Sequence, residues 1–256
     1  MHSMKKTLYF FLSTLRNVLD PLCNFREVGV LCYHSIGAAA AETTISSSAF
    51  AAQLAYLHAR GHAFVSLAAV AGWMRGEQEL PQKAVALTFD DGYRDFLTTA
   101  LPILERLRAP ATVFVVGDAE ASRAQLGNKV PLLSSADIRH LRLHPLVEVG
   151  YHSLAHADVS QLHGDALVAA CAPRHGARLF AYPGGVYSSE AIGLLPKLGY
   201  RAACSIKRDL VAPGADPYMI PRHVVLRSMS AREVAARMTQ ASRWYRACTS
   251  WVRRRA

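Results

Sequence analysis

The feature of this sequence that most limits its fold is the alternation of short apolar runs with stretches of helical periodicity. Apolar runs bounded by polar residues and glycines predict buried strands, and the periodic stretches between them predict helices. The predicted strands are Val28–Tyr33, Ala63–Ser66, Ala84–Phe89, Ala111–Val116, Val147–Gly150, Leu179–Tyr182 and Ala202–Ser205. Strands that alternate with helices form a parallel sheet or barrel, and 256 residues suit one such α/β domain.

Serine residues able to cap a helix N-terminus precede three of the helical stretches. They are Ser47 or Ser48, Ser134 with Asp137 three residues later, and Ser230 with Glu233 three residues later. The stretch between His156 and Phe180 is short, so we expect one reduced helix there, at residues 165–171. The helix after Ser230 carries an apolar stripe with most arginines off that stripe, so it is predicted to be basic and amphipathic.

The net charge of +10 is concentrated at the two ends of the chain. Residues 1–26 contribute +3 and residues 227–256 contribute +7, which leaves residues 27–226 with no net charge. A nucleic-acid-binding protein would carry a basic face across its domain, so no nucleic-acid partner is predicted. The chain is therefore divided into an N-terminal amphipathic segment (1–26), a β/α barrel domain (27–226) and a basic amphipathic C-terminal helix (227–256).

The N-terminal segment has some features of a signal peptide, because Lys5 and Lys6 precede an apolar stretch. Arg16 and Asp20 interrupt that stretch, no small-residue cleavage site follows, and it is shorter than the roughly 20 residues of a membrane span. We therefore expect a cytoplasmic protein whose basic ends contact the anionic inner face of the membrane peripherally. The alternatives are export with an uncleaved N-terminal segment and, for the C-terminal helix, packing on the barrel with a solvated arginine face.

Two carboxylates and a glycine follow the third predicted strand, as Asp90, Asp91 and Gly92. Adjacent residues on a regular strand point to opposite faces, so both acids can enter one site only where the strand ends and Gly92 lets the chain turn. The carboxyl ends of parallel strands are also where the sites of barrel and open-sheet enzymes are built. Taken alone, these residues would more often be a surface turn than part of a site.

Two histidines four residues apart follow the fifth predicted strand, as His152 and His156. Imidazoles with this spacing on a helical turn lie on one face and can bind the same cation. One aspartate would complete a set of two histidines and one carboxylate, which leaves coordination positions open for water and substrate. The paired spacing favours this interpretation over two structural histidines.

The segments Thr88-Phe-Asp-Asp-Gly92 and His152-Ser-x-x-His156 resemble the first two motifs of the polysaccharide deacetylase family (carbohydrate esterase family 4), which includes chitin and peptidoglycan deacetylases. Further segments resemble the branch that deacetylates bacterial exopolysaccharide, namely Leu31-Cys-Tyr-His-Ser35, Ile45-Ser-x-x-x-Phe50, Ala111-Thr-Val-Phe114 and Phe180-Ala-Tyr-Pro-x-Gly185. The likeness covers residues 28–225. It implies a distorted (β/α) barrel with fewer than eight regular repeats, here flanked by N- and C-terminal amphipathic helices.

The resemblance implies a role for each residue of the first two motifs. Asp91, His152 and His156 would bind a divalent cation, which is expected to be zinc, with cobalt, nickel or iron as alternatives. Asp90 would be the general base. A cation in this position would polarise an acetamide carbonyl and acidify water, and hydrolysis of an acetamide needs both.

The other site residues that the resemblance implies come from later in the chain. The backbone N–H of Gly184, after Pro183, would hold the oxyanion. An arginine that orients the base in much of the family is replaced here by Ala181, and Arg222 is the residue suggested to do that work. His223 is the approximate counterpart of the fifth motif's histidine and would be the general acid. The substrate-binding candidates are His34, Tyr182, Pro183, Gly184 and Arg222.

The expected activity is therefore metal-dependent hydrolysis of the N-acetyl amide of an N-acetylated sugar, with release of acetate. The substrate would be a polysaccharide, an oligosaccharide or a lipid-linked glycan. Two alternatives remain open at this point. Ala181 and the short stretch 157–179 suggest a catalytically weak sugar-binding pseudoenzyme, and the basic amphipathic ends would suit a deacylase acting on a small or lipid-linked amide.

Overall fold

The described part of the chain contains eight parallel strands. The computed structural model describes residues 28–126 and 130–239. The strands are β1 (Gly29–Tyr33), β2 (Ala63–Val65), β3 (Ala84–Phe89), β4 (Ala111–Val115), β5 (Val147–Tyr151), β6 (Leu179–Ala181), β7 (Ala202–Cys204) and β8 (His223–Val224). The strands predicted from the sequence are confirmed to within one residue at each end. Strand β8 is not among them, because two residues are too few to show a pattern.

The strands follow the order β7-β6-β5-β4-β3-β1-β8 across the sheet. Strand β2 pairs with residues 84–86 of β3 and β4 pairs with residues 87–89, so these two strands share one edge of β3. A bridge between Cys204 and Ile220 ties β7 to the segment that leads into β8. The sheet thus curls into a half-barrel, and the predicted distorted (β/α) barrel is confirmed.

Helices connect the strands. They are α1 (Ser47–Ala59), α2 (Leu67–Met74), α3 (Leu101–Arg106), α4 (Ala119–Leu126), α5 (Ser135–Leu141), α6 (Gly164–Cys171), α7 (Ser189–Leu194) and α8 (Ala231–Arg237). A π-helical turn at Phe96–Ala100 leads into α3. Helix α6 confirms the reduced helix expected after the second histidine.

Serine side chains cap several of these helices. Both predicted capping boxes are confirmed, Ser134 with Asp137 at the start of α5 and Ser230 with Glu233 at the start of α8. The predicted cap of α1 was wrong by one or two residues. Ser46 has the extended backbone of a cap and its side chain accepts a hydrogen bond from the N–H of Ala49, whereas Ser47 and Ser48 lie inside the helix.

The alternation of side chains along the strands separates an outer from an inner layer of the core. Leu31 and Leu87 belong to the outer cluster, together with residues of α1 and α8. Val30 and Ala86 belong to the inner cluster, together with residues of α2. Because alternate residues share a face, the inward face of β3 continues to Asp90 at its carboxyl end. The rim formed by these strand ends is where a site can be built.

The predicted terminal segments fall largely outside the described residues. This holds for residues 1–26 and for the C-terminal helix beyond residue 239. The start of that helix is α8, and Val234, Ala235 and Met238 pack into the outer cluster. Within the described ranges, no helix combines the length and the apolar character needed to cross a bilayer.

Candidate active site

Asp90 and Asp91 lie side by side at the carboxyl end of β3, and both are buried. The N–H of Asp90 donates to the carbonyl of Tyr33 at 3.0 Å, which continues the pairing of β3 with β1. At Asp91 and Gly92 the backbone turns with φ of 72° at each residue, a conformation that glycine adopts freely and aspartate seldom. The turn interrupts the strand alternation, so both carboxylates enter one site.

Asp91, His152 and His156 converge on one point at the rim. Nε2 of His152 and Nε2 of His156 each lie 3.4 Å from Oδ1 of Asp91. The two ring centroids are 5.0 Å apart, and one ligand atom from each of the three residues lies within 4.8 Å of the others. This set is a candidate site for a divalent cation.

The histidines lie on a turn and not on the helical turn predicted from their spacing. Strand β5 runs to Tyr151, and the chain then passes through Ser153 and His156 with φ angles of 62° and 54°. The N–H of Gly117 donates to the carbonyl of Ser153 at 3.0 Å and holds the turn against the loop after β4. The helix-face argument was therefore wrong although the rings do meet. Each left-handed residue costs on the order of 1–3 kcal/mol, which the surrounding contacts must offset.

The second ring nitrogen of each histidine faces a hydrogen-bond acceptor. Nδ1 of His152 lies 2.8 Å from the carbonyl oxygen of Ala181, and Nδ1 of His156 lies 3.0 Å from Oε1 of Gln125. An N–H at each Nδ1 would donate to these acceptors, which leaves the Nε2 lone pairs directed at Asp91. Burial, together with the neighbouring His152, lowers the pKa of His156 and so favours the neutral ligand form.

The arrangement of these atoms fits a metal ion. Oδ1 of Asp91 is buried and has no hydrogen-bond partner among the described residues. Two imidazole lone pairs and a carboxylate oxygen repel one another unless a cation lies among them. The three side chains therefore suit zinc, and their mixed oxygen and nitrogen ligation also suits cobalt, nickel or iron.

Arg222 forms a bidentate ion pair with Asp90 inside the half-barrel. Nη1 lies 2.6 Å from Oδ1 and Nη2 lies 2.7 Å from Oδ2. Nη1 also donates to Oγ1 of Thr88 at 3.1 Å, and Nε donates to the carbonyl of Ser205 at 3.0 Å. The guanidinium carbon lies 5.5 Å from the ring centroid of Phe114. Burial by itself would raise the pKa of Asp90, but the Arg222 charge holds that pKa well below its usual value, so Asp90 stays ionised.

The position of Arg222 bears on two sequence-based expectations. Arg222 contacts Asp90 in the way suggested for an arginine that replaces the one missing at Ala181. Its side chain has no exposed surface, and all three guanidinium nitrogens donate to protein acceptors. This corrects the expectation that Arg222 binds substrate, because a fully buried group cannot reach one.

His34 lies at the same rim, beside the ion pair. One ring nitrogen of His34 is within 4.8 Å of the ligand atoms of Cys32 and Asp90. The residue is half-buried, and its Nδ1 has no hydrogen-bond partner in the part of the chain that the structure describes. Sγ of Cys32 donates to Oδ2 of Asp90 at 3.3 Å. His34 is therefore placed where a substrate bound near Asp90 would meet it.

The turn that contains Pro183 and Gly184 follows directly on β6. Gly184 is exposed and has a φ of 62°, and Gly185 has a φ of 70°. A Cβ added to Gly185 would lie 2.7 Å from the backbone nitrogen of Ile206, so only glycine allows this close approach of the two loops. Because Ala181 also contacts His152, the turn is held next to the histidine site.

The structure does not bring His223 or Tyr182 to the site. His223 lies on β8 in register with Leu31 and so shares its outward face, whereas the preceding Arg222 points inward. The ring of Tyr182 is fully buried in a helix-facing cluster, and its hydroxyl donates to the carbonyl of Tyr218 at 3.0 Å. These placements correct the expectations that His223 is the general acid and that Tyr182 binds substrate.

Sequence reasoning missed three residues that contact the site. Cys32 and Thr88 share the inward face with Asp90, and the two-residue period of the strands could have shown this. Gln125 gives no such signal, because its contact with His156 joins helix α4 to the turn after β5.

Fold and site together define a β/α half-barrel domain with a candidate metal site at the carboxyl ends of its strands. Residues 77–203 match the family model described as polysaccharide deacetylase. This segment includes both aspartates and both histidines of the site. The chain therefore contains a polysaccharide deacetylase domain, as the motif resemblance predicted.

Several known proteins are similar to this chain. The poly-beta-1,6-N-acetyl-D-glucosamine N-deacetylase of Escherichia coli (strain K12) is 39% identical over 90 residues, which cover 34% of this chain and 13% of that protein. The structure of IcaB from Ammonifex degensii is 26% identical with a TM-score of 0.70, covering 83% of this chain and 97% of that one. The Streptococcus pyogenes deacetylase PplD in complex with acetate is 21% identical with a TM-score of 0.73, covering 84% and 100%. The fold is thus shared over nearly the full length of both solved structures.

Proposed function

We propose that this domain is a metal-dependent hydrolase that removes the acetyl group from an N-acetylated sugar and releases acetate. The observation that carries the proposal is the convergence of two imidazole nitrogens on Oδ1 of Asp91, directly beside the Asp90–Arg222 ion pair. A cation site next to an ionised carboxylate provides both an electrophile and a proton acceptor, which amide hydrolysis requires.

Asp91, His152 and His156 would hold the cation. When bound there, a divalent ion would polarise the acetamide carbonyl and acidify a water molecule. Zinc is proposed first, because two imidazoles and one carboxylate are a common ligand set of catalytic zinc. Cobalt, nickel and iron accept the same ligands and are the alternatives to be tested.

Asp90 takes the proton of the attacking water. Oδ2 of Asp90 accepts from both Arg222 and Cys32, whereas Oδ1 accepts only from Arg222 within the described residues. Since a carboxylate oxygen can accept two hydrogen bonds, Oδ1 retains capacity for the water. The water oxygen forms its bond to the acetyl carbon as the proton passes to Asp90.

His34 and Gly184 act on the other two atoms of the amide. The backbone N–H of Gly184 would donate to the carbonyl oxygen as it becomes an oxyanion. Cleavage of the carbon–nitrogen bond needs a proton on the leaving nitrogen, and His34 is the rim imidazole that is not part of the Asp91 set. We assign this proton to His34 because His223 faces the outer layer. The products are acetate and the free amine of the sugar.

The position of Arg222 weakens the alternative of a sugar-binding pseudoenzyme. That alternative depended on the absence of an arginine at Ala181 and on the short stretch after His156. Arg222 brings a guanidinium to Asp90 from the segment before β8, and α6 is present within the short stretch. We therefore favour turnover over binding alone.

The names of similar proteins suggest the substrate class. The Escherichia coli relative is named for a polymer of N-acetylglucosamine, although the match covers 13% of its length. We propose an N-acetylhexosamine glycan as substrate, and a polymer, a soluble oligomer and a lipid-linked sugar are the forms to be compared.

Acetate release from three substrates would test the proposal. The full chain, loaded with zinc, should be given β-1,6-linked N-acetylglucosamine oligomers, peptidoglycan fragments and a lipid-linked N-acetylhexosamine. We expect release from at least one of them, loss of release on chelation and recovery when zinc is restored. If protein that binds one zinc ion releases no acetate from any of the three, the proposed hydrolysis is wrong and the pseudoenzyme is supported.

A further inference from the structure

We propose that Gln125 is a positioning residue of the metal site. Its side-chain oxygen holds His156 in the tautomer that is protonated at Nδ1, so that Nε2 keeps the lone pair that faces Asp91. This inference rests on the proposed metal site and adds to it a residue from outside the recognised motifs.

The contact geometry is specific for one ring nitrogen. Oε1 of Gln125 lies 3.0 Å from Nδ1 of His156, and Nε2 of the same ring lies 3.4 Å from Oδ1 of Asp91. A neutral imidazole carries its proton on one nitrogen, so the group that faces Nδ1 decides which nitrogen keeps a lone pair. An amide oxygen can only accept a hydrogen bond. Gln125 therefore favours the form that can bind a cation through Nε2.

The two histidines of the site are supported unequally. Nδ1 of His152 faces the carbonyl of Ala181, a backbone group of β6 that no substitution removes. Nδ1 of His156 faces a side chain on the exposed surface of α4. The side chain of His152 is 2% exposed and that of His156 is 20% exposed. The orientation of His156 thus depends on one replaceable amide, whereas packing and the sheet fix His152.

The backbone places Gln125 next to the histidine turn. The N–H of Asp118 donates to the carbonyl of Leu154 at 2.6 Å, within the turn that ends at His156. Oδ1 of Asp118 accepts from the N–H of Ala121 at 3.0 Å and so supports the first turn of α4. Helix α4 therefore begins next to Asp118, which is hydrogen-bonded to the histidine turn. Gln125, near the C-terminus of α4, contacts His156 in the same turn.

A space-filling role does not account for this side chain. Gln125 is exposed, so it adds little to the core, and its polar end faces a ring nitrogen of a residue whose φ of 54° is itself unfavourable. An acceptor behind a histidine ligand is a recurrent feature of metal sites, and its loss typically weakens metal binding about 10- to 100-fold.

Two substitutions of Gln125 separate the effect of its hydrogen-bond acceptor from the effect of its side-chain size. Gln125→Met keeps the length and helix propensity but removes the amide oxygen. Gln125→Glu keeps an oxygen acceptor at the same reach. Glu120→Gln is the matched control, because it changes an exposed residue of the same helix that forms an ion pair with Arg123 at 3.3 Å.

The experiment has two readouts on the full chain. The tautomer of His156 is read from imidazole ¹⁵N chemical shifts in metal-free protein, and zinc affinity is measured by competition with a chelator. We expect Gln125→Met to shift the His156 population toward the Nε2-protonated form and to weaken zinc binding roughly 10- to 100-fold. Gln125→Glu should keep the wild-type tautomer and zinc affinity, and Glu120→Gln should change neither.

The outcomes distinguish this inference from the proposed function. An unchanged tautomer and undiminished zinc affinity in Gln125→Met would overturn the inference. Equal losses in Gln125→Glu and Gln125→Met would also overturn it, because the acceptor would then not be what matters. A wild-type protein that shows the Gln125-dependent tautomer but binds no zinc would contradict the metal site and leave the tautomer assignment supported.

Discussion

At the scale of single residues, the site depends on a charge pair that is buried and on a cluster of lone pairs. The side chains of Arg222 and Asp90 are 0% and 5% exposed, and each satisfies the other's charge. Removal of one partner of a buried ion pair leaves an uncompensated charge and costs on the order of 3–5 kcal/mol, whereas removal of both leaves none. Stability and the proposed proton transfer are therefore coupled at Asp90.

Replacement of Arg222 should be costly unless Asp90 is also neutralised. We expect Arg222→Met to lower the free energy of unfolding by about 3–5 kcal/mol, because Asp90 would remain buried without its counter-charge. Arg222→Met combined with Asp90→Asn should lose less than the sum of the single changes. Urea unfolding of the wild type, Arg222→Met, Asp90→Asn and the double variant measures this coupling. Strictly additive losses of unfolding free energy would show that the pair is not energetically linked.

Asp90→Asn should abolish most turnover while zinc binding is retained. The amide keeps the shape of the carboxylate but cannot take a proton from water, and loss of a general base typically lowers the rate on the order of 100- to 10,000-fold. Because Arg222 loses its counter-charge, some loss of stability should accompany the change. Turnover and zinc content should be measured on protein shown to be folded. Activity close to that of the wild type would exclude Asp90 as the base.

One divalent cation should bind per chain, through Asp91, His152 and His156. His152→Ala combined with His156→Ala removes both nitrogen ligands and should abolish binding. Elemental analysis after dialysis gives the stoichiometry, and thermal unfolding with added zinc should show stabilisation of the wild type alone, about 2.7 kcal/mol at a concentration 100 times Kd. Retention of the metal by the double variant would place the cation elsewhere.

At the scale of elements, the turn that carries Gly184 is positioned by tight packing between loops that follow neighbouring strands. The turn after β6 packs against the loop after β7 so closely that a Cβ on Gly185 would lie 2.1 Å from Cγ1 of Ile206 and 2.7 Å from its backbone nitrogen. Gly199 has a similar φ of 86° but faces open space, with no atom within 4 Å of an added Cβ. The two glycines therefore separate backbone strain from steric clash.

Gly185→Ala should destabilise the protein more than Gly199→Ala. Both changes place alanine in a left-handed conformation at a cost of about 1–2 kcal/mol, but the first also drives the turn away from the Ile206 backbone. Since that turn carries Gly184, Gly185→Ala should also lower turnover while Gly199→Ala should not. Thermal unfolding and acetate release on both variants provide the comparison. Equal effects would mean that the close approach of the two loops is unimportant.

At the scale of the whole molecule, the excess positive charge and the candidate site lie in different parts of the chain. The site lies in a domain without net charge, and the excess of +10 belongs to residues 1–26 and 227–256. We propose that these ends keep the protein at the cytoplasmic face of the membrane. Each basic residue near an anionic surface adds roughly 1 kcal/mol to binding, so the ends together are sufficient for peripheral attachment.

The full chain should sediment with anionic vesicles at low salt and be released by salt. Vesicles of phosphatidylglycerol and phosphatidylcholine should bind the protein, and vesicles of phosphatidylcholine alone should bind much less. Charges at a surface are screened over roughly 8 Å at physiological ionic strength, so raised salt should weaken binding. Full-length protein that ignores anionic vesicles at low salt would contradict the proposed attachment.

The sequence by itself determined seven of the eight described strands, the two capping boxes and the motif residues of the site. Strands buried on both faces read as continuous apolar runs, which is why β3 and β4 could be located closely. Capping boxes such as Ser134 with Asp137 involve residues three apart and so are visible in the sequence. Asp90 and Asp91 were recognisable because the apolar run of β3 is followed directly by two carboxylates and a glycine.

Only the tertiary structure decided which face of the sheet Arg222 and His223 occupy, and which residues far apart in sequence come into contact. Arg222 and His223 are neighbours in sequence, and the register of β8 against β1 sends Arg222 to Asp90 and His223 to the outer layer. A shift of one residue would exchange them, and a strand of two residues carries no pattern that sets its register. Gln125 on α4 contacts His156 in the turn after β5. Such contacts depend on how strands far apart in sequence are arranged in the sheet, which no local pattern encodes.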